Sequence, residues 1–118
     1  MFNLLYRLTL QLEDKSWNPE ACLLLLKPYI IPHYGEDIED ETPTSIRVLF
    51  HSSVQPSEMK KNLAEAMKTF PGMVYADILY RYPDEMFHDR FVVWADGTAQ
   101  EYKTHSVYEE DGERTAVQ

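Results

Sequence analysis

One cysteine and four glycines are all that this chain of 118 residues carries of either type. A lone thiol, Cys22, cannot close an internal disulfide, so neither a disulfide scaffold nor an oxidising compartment is indicated. Four glycines leave little material for a phosphate cradle. No Gly-x-Gly-x-x-Gly, Gly-x-Ser-x-Gly or Gly-Lys-Ser/Thr element occurs in the sequence, which argues against a nucleotide-handling enzyme and gives no reason to expect a cofactor. Long apolar runs are also missing. A membrane span needs roughly 18 such residues, and the four leucines at positions 23–26 stop at Lys27. The first residues, MFNLLYRLTL, lack the basic start and small-residue cleavage site of a secretory signal. A cytoplasmic protein with no membrane contact is the expectation.

What is present is acid, and it is unevenly placed. The net charge is −9, yet residues 36–41 alone hold five carboxylates, Glu36, Asp37, Glu39, Asp40 and Glu41. Residues 109–114, EEDGER, add four acids and one arginine, which leaves the rest of the chain at −1. The body is therefore nearly neutral. A local cluster of this kind attracts a basic partner over about one Debye length, roughly 8 Å at physiological salt. Free nucleic acid is a poor partner, because its phosphates would be repelled and no stripe of Lys and Arg stands out along the sequence.

Hydrophobic patterning supplies the elements. Phe2, Leu4, Tyr6, Leu8, Leu10 and Leu12 alternate with mostly polar residues, which predicts a half-buried strand over 2–13, with Leu5 as the exception. Asn18 and Pro19 open a helix, with Glu20 in its first turn and the leucines mostly buried. Pro28 should end or kink that helix near Lys27. The acidic segment then reads as a solvated loop held open by its own repulsion. Residues 44–53 form a second strand. Residues 56–70 form the clearest helix, with Met59, Leu63, Ala66, Met67 and Phe70 on one face. Residues 73–82 make a third strand. In RFVVWADGTAQEYK, Asp96-Gly97 predicts a type I′ hairpin in which Trp94 faces Ala99 and Phe91 faces Tyr102. The strand at 90–95 is apolar on both faces and belongs inside the sheet.

The predicted order is β-α-β-α-β-β-β: a single small α+β or α/β domain over residues 1–104. It has a mixed sheet, two helices on one face and a C-terminal β-hairpin. An acidic, mobile tail over 105–118 follows. A thioredoxin-like core fits this order better than a ferredoxin-like one. Without Cys-x-x-Cys, such a likeness would be topological and carry no redox function.

Candidate chemistry is sparse. The acidic run lacks the glycine and the alternating oxygens of an EF-hand loop, so it is not assigned a metal. His33, His51, His88 and His105 are scattered, with no pair at i, i+4 spacing, and His88 beside Asp89 would point away from it on an extended chain. Asp77, Asp84, Glu85 and Asp89 gather near strand ends, where turn residues are expected anyway. Cys22, among leucines, reads as a small hydrophobe. Tyr75, Tyr80, Tyr82, Phe87, Phe91 and Trp94 cluster along two strands, mostly as core. Trp17 stands just ahead of the first helix, either as an exposed anchor or as a staple closing the helix entry.

The sequence thus points to a non-catalytic interaction module of the inhibitor, immunity or adaptor type. Its partner would be a protein with a basic surface, a class that includes proteins that handle nucleic acid. Glu36, Asp37, Glu39, Asp40, Glu41 and Trp17 are the partner-binding candidates, with no catalytic or metal-ligating residue named. Two rivals stand beside it. One is a small enzyme with a sheet–helix pocket using His88 or His51 plus a carboxylate. The other is a structural subunit assembling through an edge strand such as 2–13.

Overall fold

The computed structural model describes residues 4–33, 36–82, 89–104 and 109–117, with only the backbone at 103, 104 and 109–111. In chain order the elements are β1 (Leu4–Leu12), α1 (Pro19–Ile30), β2 (Glu36–Thr42), β3 (Ser45–Ser52) and α2 (Pro56–Thr69). They continue with β4 (Met73–Arg81), β5 (Asp89–Trp94), β6 (Thr98–Thr104) and β7 (Glu109–Ala116). The strands form one seven-stranded sheet in the order β2-β3-β1-β4-β5-β6-β7. Every neighbouring pair is antiparallel.

Five expectations change. The sheet is antiparallel rather than mixed. The acidic segment is the edge strand β2, not a loop. Residues 109–116 pair with β6, so this part of the segment read as a tail is a seventh strand. With β2 inserted, the first six elements run β-α-β-β-α-β in the sheet order 2-3-1-4, the split βαβ or ferredoxin-like arrangement. The thioredoxin-like reading fails because it lacked that one strand. Finally, β1 lies between β3 and β4 and uses both of its edges. Residues 4–12 therefore cannot serve as the edge of an assembling subunit.

The alternation read from the sequence sets the core. Leu4, Tyr6, Leu8, Leu10 and Leu12 of β1 face the helices with Ile46, Val48 and Phe50 of β3, and Ala76 and Ile78 of β4. Met59, Leu63, Ala66 and Met67 of α2 cover them, with Cys22, Leu23, Leu26 and Ile30 of α1. Leu24 and Leu25 instead face water, so the four leucines wrap both sides of α1. Asn18 Oδ1 accepts from Ala21 N–H at 3.0 Å and starts that helix. Pro28 does not end it. The helix runs to Ile30, because the proline's missing donor would have served the carbonyl of the exposed Leu24, where water can substitute. Ile31, in the left-handed region at φ 48°, then turns the chain, and its N–H reaches the Lys27 carbonyl.

Most buried polar groups are matched, Trp94 Nε1 being the exception among the described residues. The Tyr6 hydroxyl donates to the Val54 carbonyl, and burial together with neighbouring acidic groups pushes its pKa upward. Ser52 Oγ donates to the Ile30 carbonyl at 2.7 Å and accepts from Val54 N–H at 3.2 Å, tying the end of α1 to the end of β3. Asn62 Nδ2 donates to the Tyr29 carbonyl at 3.0 Å and links the two helices.

The β5–β6 hairpin is present in a different register. Val93 pairs with Ala99 and Phe91 with Glu101. Gly97 alone takes a positive φ, 83°, and its N–H returns to the Trp94 carbonyl at 2.9 Å. The loop is thus three residues long, a turn followed by a left-handed glycine, rather than the two-residue type I′ form.

Candidate functional site

Placed on β2, the five acids separate by the pleat. Glu36 pairs with Phe50, a core position, and so turns toward the helices, where Lys27 Nζ lies 2.6 Å from its carboxylate. Asp37 and Asp40 take the opposite side, at the register positions of Leu49 and Arg47. A bulge between Ile38 and Asp40 frees Glu39 to cross β3 and meet Arg7 of β1, at 2.7 Å and 3.2 Å. Glu41 faces α1. Its carboxyl is held above the ordinary carboxylate range by desolvation, and further by the hydrogen bond its protonated form donates to Glu20 and by that residue's charge. Two of the five acids are therefore neutralised within the molecule. Asp37, Asp40 and Glu41 are exposed, and none of the three meets a cation among the described residues. An extended strand sends neighbouring side chains to opposite sides, so these carboxylates do not converge as calcium ligands do.

Trp17 is half-buried and packs against the core. Its indole lies over Gly72, so close that a Cβ on that glycine would come within 2.3 Å of Cδ2 and Cε2. This is the helix-entry staple in a particular form: a ring on a bare backbone. Cys22 is buried, and desolvation pushes its thiol up, away from the thiolate a nucleophile needs. His51 is exposed on β3, opposite Leu5 in register. His88 lies outside the described residues, as do His105, Asp84, Glu85 and Phe87. No group of three or more His, Cys, Asp or Glu suited to a metal occurs among the described residues.

The face of the sheet turned away from the helices holds what the sequence reading missed. All five arginines of the chain, Arg7, Arg47, Arg81, Arg90 and Arg114, occupy this face. Lys27, Lys60, Lys61 and Lys68 are on the helices. Two rows run across the strands. One is Arg47, Thr9, Asp77, Val92; the other is Leu49, Arg7, Leu79, Arg90. Arg90 is clamped by Asp77 through two bonds of 2.8 Å and 2.9 Å, and its guanidinium sits 4.4 Å from the centre of the Tyr102 ring. Arg47 is exposed and reaches Thr9 Oγ1 at 3.4 Å. Between them lies a depression of about 310 Å³ lined by Arg7, Thr9, Arg47, Asp77, Leu79 and Arg90. At the far end Arg114 covers Trp94 at 4.2 Å and bonds Asp96 at 2.9 Å.

The missed signal was phase. Arg7 and Arg47 stand at outward positions of two strands that the alternation predicts, and their grouping shows only by strand face, not by spacing along the chain. A larger groove of about 510 Å³ lies between the start of α2 and β6–β7. There Lys60 is already tied to Glu101 at 2.7 Å.

No family model matches the chain, and no curated protein matches it. Among solved structures, the crystal structure of the guanylyl cyclase Cya2 is similar across 100% of this chain and 66% of that one, at 16% identity and a TM-score of 0.30. A score of that size carries no argument about this chain.

Proposed function

We propose that the protein is a non-catalytic interaction module that binds a basic surface of another protein through its acidic edge strand. The observation behind this reading is the state of β2: a terminal strand of the sheet on which Asp37, Asp40 and Glu41 face solvent and meet no cation among the described residues. Half-exposed Ile38, on the same strand, gives an arriving partner apolar area to cover. The carboxylates raise the encounter rate, and burial around Ile38 slows departure. A strand edge also offers unpaired backbone groups to an extended segment of the partner.

Glu41 supplies a pH signature. A cation from the partner favours its ionised form against the neighbouring Glu20, so affinity should fall as pH drops through a range above 4.5 and Glu41 takes up a proton. Glu41→Gln should remove that component in a binding titration across pH. The reading itself is tested by affinity capture from the native host with the wild-type chain and with the triple variant Asp37→Asn, Asp40→Asn, Glu41→Gln. A captured protein of basic character that is lost with the triple variant and at raised salt is expected. Capture that ignores both changes contradicts the proposal.

A further inference from the structure

The geometry points to a second site, in the depression on the uncovered sheet face, that binds the phosphate group of a small soluble ligand. This inference is independent of the acidic edge. The first argument is chemical segregation. The arginines sit together on one face while four of the six lysines sit on the helices, and arginine is the residue whose planar fork matches phosphate oxygens.

The second argument is preorganisation. The Arg90 guanidinium is fixed by Asp77 and by the ring of Tyr102, and Arg7 is fixed by Glu39. Neither head needs to be ordered when a ligand arrives. Arg7 and Arg90 stand two strands apart, about 10 Å between backbones, and Arg47 is about 8 Å from Arg7 by strand spacing and rise. The three arginines line the depression together with Thr9, Asp77 and Leu79.

The third argument is charge. Among the described residues the lining sets three guanidinium groups beside Asp77, with Glu39 bonded to Arg7. Asp40, opposite Arg47 in register, forms no ion pair with it, so Arg47 keeps its charge for a group that carries about −1.5 to −2. Arg47 is the adaptable member: its one hydrogen bond to Thr9 is long, at 3.4 Å, and it makes no ion pair among the described residues.

Size and surroundings select a small ligand over a polymer. The volume of about 310 Å³ is at the low end of small-molecule sites. A nucleic-acid strand laid along the face would meet Asp37 and Asp40 at one end and Asp96 at the other. A chain of net charge −9 also gives such a polymer no long-range attraction.

The test is isothermal titration of the full chain with sodium pyrophosphate at low ionic strength, with inorganic phosphate in parallel. Saturable binding at one site is expected, with pyrophosphate the tighter of the two. Arg47→Ala should weaken it roughly tenfold to a hundredfold, Arg47→Lys should restore only part of the loss, and Arg114→Ala should leave it unchanged. Because Arg47 is exposed, a coincident thermal unfolding curve for Arg47→Ala is expected and isolates the binding effect. Three results overturn the inference: no saturable heat at millimolar pyrophosphate, affinity indifferent to Arg47→Ala, or tighter binding of a thymidine oligonucleotide that Arg114→Ala also abolishes.

Discussion

At the scale of single residues, two positions carry more than their neighbours. Gly72 adopts φ +90° beneath the Trp17 indole, and its carbonyl accepts from Glu13 N–H at 2.9 Å. A methyl group there meets both a backbone penalty and the Trp17 ring. Gly72→Ala is expected to cost about 2–4 kcal/mol in urea denaturation. Adding Trp17→Ala should recover part of that loss, since the clash and its cause are then removed together. Asp96 behaves differently. Its carboxylate accepts from the Thr98 hydroxyl and N–H, and Arg114 adds a further bond, so its pKa is lowered to about 2 from the ordinary 3.8. A carboxyl that is more acidic folded than unfolded stabilises the native state above its unfolded pKa, and loses that contribution as pH falls through its folded value. Asp96→Asn should therefore be less stable than wild type above about pH 4. The gap should close as pH falls and vanish below about pH 2. A gap that persisted in strong acid would mean the asparagine disturbs the turn itself.

At the scale of elements, what the sequence disclosed follows from which strands are half-buried. β1, β3 and β4 alternate because one side meets the helices and the other does not, and α2 shows its stripe for the same reason. β2 offers one apolar residue in EDIEDET, so periodicity had nothing to register. Its pairing comes from β3, across a two-residue loop at Pro43 and Thr44 that lacks the usual Asn-Gly or Asp-Gly signal. Thr42 and Ser45 close that loop instead, their hydroxyls 2.7 Å apart. β7, EEDGERTA, is hidden in the same way at the other edge. Of the candidate site, the acids were legible and their pairing was not, because Glu39–Arg7 and Glu36–Lys27 depend on strand order.

Edge position also gives the acids a second effect. Like charges and a bulge discourage one sheet edge from pairing with another. The triple variant Asp37→Asn, Asp40→Asn, Glu41→Gln is expected to self-associate in light scattering at concentrations where the wild type stays dispersed. Its unfolding midpoint should move little, since surface substitutions of this kind usually stay within about 0.5 kcal/mol. A variant that stayed as dispersed as the wild type would show that the bulge alone guards the edge.

At the scale of the whole molecule, the sheet divides the protein into two unlike sides. One carries the helices with four of the six lysines, and the core; the other carries every arginine. The acidic edge strand sits where the two sides meet. Its charge reaches the helix side through Glu36 and Lys27, and the open side through Glu39 and Arg7. What remains unneutralised points outward, and that residue of charge is the account's central claim. The measurement that tests it most directly is the stopped-flow association rate of the captured partner as a function of ionic strength, for wild type and triple amide variant. The account predicts a wild-type rate that falls steeply as salt rises and a variant rate that is low and nearly flat. Equal rates with equal salt dependence would contradict it.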